Sequence, residues 1–495
     1  MLSIVIFLPV AAGILLAVFK KITPAAARWV WLTTTLVDLA LIAGITVAGQ
    51  TSGDGLVAEE QMAWMPGIGT SYHIGVDGFS LPLLLLTGVI FVASAVWSLR
   101  TEDRPRAQAA LFLFLQTTCL GLFAAQDLIL FFLWFDLSIV GMYFVIAGWG
   151  HGNARRSALK FFLYTFLGSL ALLLGFIGLY LNSSPHTFDM IELSQAGAFT
   201  GNAVTGGLIL TAIVVGLAIK TPTFPFHSWL PPAHTDAPSI GSVVLAAVML
   251  KMGTYGFVRI AMPMLSDAWR AGAWVIVAVG IVSVLYGALV ALAQTDVKRM
   301  IAFTSINHMG YVILAVGAAG IVSQDSEQAQ HLAITGAVIQ MVSHGLITGA
   351  LFLLAGVFWD RTGSYDLRRY GGLASPAPRF AGFFAIAAFA SLGLPGFSGF
   401  IAEFQIFTGS IGTTLWAALA LPGILIVAVL FLRAFQRVFT GPTTGLSPGF
   451  DDLRPREIVP LVVLLGLSVI IGIFPGPLIE LIAPAADQLI GVLGP

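Results

Sequence analysis

Fourteen times along this chain, a run of roughly 20 predominantly apolar residues gives way to a polar or Gly/Pro-rich break. About 20 residues is the length a helix needs to cross the hydrocarbon core of a bilayer. The windows fall at 2–18, 28–48, 79–99, 108–125, 128–149, 158–181, 205–222, 239–262, 272–293, 299–320, 332–358, 380–411, 414–438 and 458–480, numbered here helices 1 to 14. An apolar tail running to Pro495 reads as an extension of the last. Charged residues make up 9% of the chain and hydrophobic ones 58%, whereas a soluble domain carries about 25% charged residues. The expectation is an all-α integral membrane protein.

The loop charges test the count. If loops alternate between the two sides, 19 of the 23 lysines and arginines fall on one side, from Lys20 and Lys21 to Arg454 and Arg456. The other side receives only Arg259 and Arg270, and Lys220 and Lys251 stay inside helices. Basic residues favour cytoplasmic loops, so both termini are expected on the non-cytoplasmic side of a cell inner (plasma) membrane. The N-terminal apolar run precedes its lysines, the reverse of a secretory signal, and reads as a first spanning helix.

A net charge of −1 gives no footprint for nucleic acid. One cysteine, Cys119, excludes an internal disulfide and leaves too few thiolates for an iron–sulfur cluster, so it reads as a packing residue. The long loop between helices 2 and 3 alternates enough to form a small hairpin. Asp77 and Asp127 stand where helix N-caps stand. His227, His234 and Asp236 in "FHSWLPPAHTDAP" read as a structured loop, because two prolines intervene and no wider metal-ligand set appears. No cofactor or metal is expected in this chain.

Two helices carry interruptions. Helix 7 meets Pro222 and Pro225 in "KTPTFPF", and helix 12 meets Gly393, Pro395, Gly396 and Gly399 in "SLGLPGFSGFIAEF". Broken backbone at membrane depth survives only where it is buried in protein or lines a water-filled cavity. The breaks lie five helices apart, so helices 4–8 and 9–13 form two units, each broken in its fourth member. An odd number of helices forces the second unit to insert upside down, the pattern of an inverted repeat. The chain then divides into N-terminal helices (1–107), a first repeat (108–262), a second repeat (272–438) and a C-terminal helix 14 (439–495).

A charge at the centre of a spanning helix costs about 3 kcal/mol even on the lenient insertion scale, so such residues are functional candidates. They are Asp136 in "FFLWFDLSIVGMYF", Lys220 in "GLAIKTPTF", Lys251 in "LAAVMLKMGTYGF", His308 in "TSINHMGYVIL", His344 in "IQMVSHGLITG" and Glu403 in "GFIAEFQIF". Together they form a set that can take and release protons. Asp136 and Lys220 are the natural opposite-charge pair, since a lone buried charge costs more than two that meet.

Four segments, "AIKTPTFPFHSWLPPAHTDAPSIGSVVLAAVMLKMGTYGFVR", "AQTDVKRMIAFTSINHMGYVILAVG", "GAVIQMVSHGLITGALFLLAGVFWDRTGSYDLRRYGGL" and "SLGLPGFSGFIAEFQIFTGS", occur in this order. They closely resemble the antiporter-like subunit M family of the proton-pumping NADH:quinone oxidoreductase, respiratory complex I, and the likeness runs from about Asp77 to the C-terminus. The resemblance implies a fourteen-helix fold with two inverted five-helix repeats and a polar mid-membrane axis that carries protons. It implies quinone chemistry elsewhere in the complex, with NADH, FMN, iron–sulfur clusters and quinone in partner subunits. It also implies neighbouring antiporter-like subunits as membrane partners.

Matched by motif, Lys220 is the helix 7 lysine that pairs with a helix 5 acid, and Lys251 is the connecting lysine. His308 and His344 lie on the central path, and Glu403 is the helix 12 acid. One position departs from the family pattern. The helix 5 acid, usually glutamate, is Asp136, with Gly141 where proline is usual. Aspartate is one methylene shorter, so its contact with Lys220 needs a shifted helix or a water. Two alternatives stay open: the D-type subunit of a multi-subunit sodium/proton antiporter, or a ferredoxin- or hydrogen-driven complex I relative.

Overall fold

The computed structural model describes residues 1–19, 21–49, 55–99, 103–195, 197–321 and 326–494. Lys20 and Arg100, two members of the basic set above, lie outside the described residues. The chain is helical from end to end apart from a hairpin and short connections.

Helices 1 to 7 are Leu2–Val18, Pro24–Gly49, Ser80–Ser98, Pro105–Ala124, Leu128–Trp149, Ala154–Leu181 and Ala203–Lys220. Helices 8 to 11 are Ser239–Met264, Ser266–Leu292, Val297–Ala319 and Glu327–Thr362. Helix 12 comes in two pieces, Pro378–Ser391 and Ser398–Thr413, followed by helix 13, Leu415–Phe439, and helix 14, Pro455–Ile473. Local signals start these helices where expected. Asp127 accepts from the amides of Ile129 and Leu130, Asn202 from Thr205 and Asp296 from Arg299, supplying acceptors to the orphan donors of a first turn. Pro105, Pro378 and Pro455 open their helices, and Pro422 opens the α-helical run within helix 13, where a missing N–H costs nothing.

Helices 8, 10 and 11 form the centre, their apolar windows being 94%, 100% and 100% buried, against 33–44% for helices 2, 6, 9, 13 and 14. Three of the six candidate residues, Lys251, His308 and His344, therefore sit in the protein interior rather than against lipid. Helices 9 and 10 approach closely because glycines face backbone on both sides. A Cβ on Gly280 would lie 2.6 Å from the Leu314 nitrogen, and one on Gly310 2.8 Å from the Val284 nitrogen. In a membrane, close approach through small residues replaces the hydrophobic driving force.

The hairpin expected between helices 2 and 3 is present, as β1 (Val57–Met65) paired antiparallel with β2 (Thr70–Val76). Buried polar contacts lock it down. Asp127, besides capping helix 5, accepts from the Thr70 hydroxyl at 2.8 Å and the Ser71 amide at 3.0 Å. His73 is held between Asp189 Oδ2 at 2.5 Å and Glu59 Oε1 at 2.8 Å. Burial opposes its protonation, but the bonds to Asp189 and Glu59 outweigh it and raise its pKa, while the same contact lowers that of Asp189. Asp77 caps helix 3 and also pairs with Arg259 at 2.5 Å. Burial would raise its pKa, yet the guanidinium and the backbone amides hold it below the usual carboxylate range.

The tail departs from expectation. Helix 14 does not extend through it: the chain breaks at Phe474 and Pro475, and a separate helix, Gly476–Leu493, follows. Pro475 and Pro477 can donate no backbone hydrogen bond to a continuing helix 14. Residues 482, 485, 486, 489, 490 and 493 are its buried ones, the i, i+3, i+4, i+7 spacing of an amphipathic surface helix. It lies over the hairpin-side ends of other helices. The Leu481 carbonyl sits against Gly78 before helix 3, Asp487 is 3.4 Å from His331 of helix 11, and Gly494 lies beside Arg270 of helix 9. The Met1 ammonium meets Glu60 of β1, so both ends of the chain are on the hairpin face.

Candidate functional site

Lys220 is the last residue of the first segment of helix 7, where a cation complements the partial negative charge of a helix C-terminus. The break beyond it satisfies its own backbone. Trp229 Nε1 donates to the Ile219 carbonyl at 2.9 Å, the Thr223 amide to Ala218 and the Phe224 amide to the Ser283 hydroxyl at 3.0 Å. The chain resumes as a short helix, Leu230–Asp236, leading into helix 8.

The structure does not bring Lys220 and Asp136 into contact. The ammonium donates to Ser138 Oγ at 3.0 Å and sits 4.6 Å from the centre of the Phe135 ring. Asp136, one residue round helix 5, instead faces Ser169 of helix 6, and one carboxylate oxygen has no partner. Its direction towards helix 6 leaves the gap, and its side chain is one methylene shorter than a glutamate's. A desolvated cation–π contact is worth about 2 kcal/mol and a charged hydrogen bond about 1.5–3 kcal/mol, together enough to offset the roughly 3 kcal/mol of burying the lysine. Asp136 remains a through-space partner to Lys220.

Lys251 sits at the crossing of the central helices. Two π-helical turns, Leu245–Met249 and Phe257–Ala261, flank it in helix 8, and such turns are rare insertions that concentrate at functional sites. Its ammonium donates to the Ala246 carbonyl at 2.6 Å and to His344 Nδ1 at 2.6 Å. His344 must therefore be unprotonated at Nδ1, since a lysine offers only donors. The His344 Nε2 has no partner, and the rings of His344 and His308 stand 5.5 Å apart, edge to face.

Glu403 lies in the second segment of helix 12, against the turn that breaks it. Gly393 has φ +76°, and a Cβ there would collide with Glu403 Oε2. His308, Gln340, Ser343, His344, Ser391 and Glu403 line a cavity of about 10 Å³, close to the room one water needs. From Ser343 a hydroxyl chain continues: Ser343 to Ser398 at 2.8 Å, then Ser398 to Ser468 of helix 14 at 2.8 Å.

Of the six candidates, the structure joins Lys251 directly to His344 and sets His308 and Glu403 on the same cavity, while Lys220 and Asp136 sit close but apart. Two residues of this kind escaped the sequence reading. His234, read as part of a structured loop, sits in the short helix Leu230–Asp236 and turns inward. It is fully buried, stacked at 4.5 Å on Phe352, with both ring nitrogens unpartnered, and it feels the charges of Lys251 and Lys298. Its loop companions point elsewhere, His227 to Tyr286 at 3.1 Å and Asp236 to Ser157 at 2.5 Å. Asp38, in helix 2, is the second. The signal that finds it is the rule already applied to the six, one charge inside an apolar window.

A bundle with two interrupted helices and buried ionisable groups between them has the pattern of an antiporter-like membrane protein. The transmembrane family model of NADH:quinone oxidoreductase and Mrp antiporter matches residues 125–429, and the chain belongs to this family. NADH-quinone oxidoreductase subunit M of Rhodobacter capsulatus is 36% identical over 99% of this chain and 96% of its own length. Among solved structures, a chain of respiratory complex I from Thermus thermophilus superposes with a TM-score of 0.90 at 29% identity, over the whole of both chains. A chain of the Mrp complex from Dietzia sp. DQ12-45-1b has a TM-score of 0.83 at 22% identity, covering 100% of this chain and 99% of its own, and shares the fold.

Proposed function

We propose that this chain is the proton-translocating membrane subunit M of a complex I type NADH:quinone oxidoreductase. It moves protons along Asp136, Lys220, Lys251, His344, His308 and Glu403 while quinone is reduced elsewhere in the complex. The observation that carries the reading is the Lys251–His344 hydrogen bond of 2.6 Å at the crossing of the two repeats. It joins an ammonium to a neutral imidazole, so a proton can shift from one to the other, leaving an amine and an imidazolium, with no charge created or lost. The flanking groups, Lys220 on one side and the Glu403 cavity on the other, extend that pair towards the two helix breaks. The units 108–262 and 272–438 are the two repeats.

Redox chemistry belongs to partners on this reading: NADH, FMN, iron–sulfur clusters and quinone sit in other subunits. Neighbouring antiporter-like subunits flank the chain in a cell inner membrane. The excess of basic residues on the face opposite the hairpin supports a non-cytoplasmic hairpin face and termini.

Lys220→Ala tests the reading. In the purified complex reconstituted into vesicles, the variant should assemble and lower the ratio of protons moved to electrons transferred. An unchanged ratio refutes the relay. Co-purification with iron–sulfur and quinone-binding subunits is expected, and recovery with small membrane partners alone would favour an antiporter complex instead.

A further inference from the structure

Asp38 lies midway along helix 2, 0% exposed, outside the relay just described. Its single hydrogen bond comes from Gln116 Nε2 of helix 4, which donates to Oδ2 at 2.6 Å. The other oxygen of each group, Asp38 Oδ1 and Gln116 Oε1, is buried and has no partner. Two orphaned acceptors in one hydrogen-bonded pair are costly, about 1–3 kcal/mol each, and both belong to groups that could satisfy one another if one of them carried a hydrogen.

No counter-charge is at hand for an ionised carboxylate. Helices 1 and 3, which pack on helix 2, contain no ionisable side chain at all. Helix 4 offers Arg106, ten residues from Gln116, and the thiol of Cys119. Helix 2 itself offers only Arg28, ten residues from Asp38. Ten helical residues are about 15 Å. At the hairpin end, β1 contributes Glu59 and Glu60, whose charge has the same sign as a carboxylate at Asp38 and whose side chains engage His73 and the Met1 ammonium. An isolated buried carboxylate avoids its desolvation penalty by taking up a proton.

We infer that Asp38 and Gln116 form a proton-binding site, in which the Asp38 Oδ1–H donates to Gln116 Oε1 while Gln116 Nε2 donates to Asp38 Oδ2. This closed acid–amide ring uses both orphaned oxygens at once. It also fastens helix 2, in the N-terminal unit, to helix 4, the first helix of the first repeat. A sodium ion is a poor fit, because two free oxygens fall well short of the roughly six a hard cation gathers.

The inference stands apart from the translocation reading, and so does its test. Infrared spectra of the intact complex at neutral pH should contain the carbonyl band of a protonated, buried carboxyl that shifts in deuterium oxide. Asp38→Asn should lose that band and still assemble, since an asparagine amide can donate to Gln116 Oε1 in place of the acid. Asp38→Leu leaves Gln116 unsatisfied and should lower the yield of assembled complex. The proposal is overturned if the Asp38→Asn difference spectrum contains ionised-carboxylate bands instead, if the protonated band is unchanged, or if added sodium removes it from the wild type. A normal proton ratio in Lys220→Ala would refute the relay and leave this site untouched.

Discussion

Helix 7 ends its first segment on a cation, Lys220, whereas helix 12 carries its anion, Glu403, at the sixth residue of its second segment. Each sign suits its end of a half-helix, but unequally. Lys220 is at the terminus, where the dipole is worth about 0.3–1 kcal/mol, and Glu403 is beyond the first turn, where the effect has faded. What surrounds the two charges differs more. Lys220 is gripped by an aromatic face and a serine hydroxyl in a tightly packed setting, while Glu403 rests on a glycine turn beside a small polar cavity. The same backbone device thus makes one site that holds a charge by direct contact and one that leaves room for water.

The sharpest way to break this comparison is to remove what joins the two sites. Lys251→Met should cut proton translocation about 100-fold or more, the usual worth of a positioned proton-transfer group, in a vesicle assay of proton uptake. Residual translocation close to wild type would mean that the halves work separately.

Next comes the glycine turn. Gly393→Ala places a side chain in a left-handed conformation at about 1–2 kcal/mol and drives into Glu403. Translocation should fall about tenfold, 1.36 kcal/mol being tenfold in rate. A comparable loss from Glu403→Gln, with no loss of assembled complex, would assign the effect to the carboxyl rather than to folding.

The first site makes the opposite demand. Ser138→Ala removes a charged hydrogen bond worth about 1.5–3 kcal/mol and should lower translocation more than Asp136→Asn does. Asp136→Glu, one methylene longer, should match or exceed the parent. If Asp136→Asn proves the more damaging, the carboxylate and not the hydroxyl is the working partner of Lys220.

The smallest effect lies outside the membrane. His73 has a raised pKa in the folded protein, so its support for the hairpin is complete below about pH 6.5 and fades as pH rises through that raised value. Asp189 has a lowered pKa, so its share is present above about pH 3.9 and fails as pH falls through the lowered value. Hydrogen exchange in β1 and β2 should therefore quicken towards alkaline pH, by on the order of 1 kcal/mol of protection. His73→Gln should flatten that dependence.

The spans and both breaks were legible because hydropathy and proline act locally. The same holds for Lys220, Lys251, His308, His344 and Glu403, each a polar exception in an apolar run. What could not be read depends on direction in space. Whether Asp136 reaches Lys220 turns on the angle between neighbouring positions of helix 5, not on spacing. His234 was masked by its flanking prolines, which signal a loop but not which way the loop folds. The π-turns around Lys251 have no residue signature. The tail looked like more of helix 14, since amphipathicity is visible only once its covered face is known.

That terminal helix has a mechanical consequence. By resting on the ends of helices 3, 9 and 11 at once, it makes the hairpin face a clamped rim. Motion of helix 3 against helices 9 and 11 would have to stretch that rim. Displacement of these helices against one another is then smallest at the hairpin face and has more room away from it.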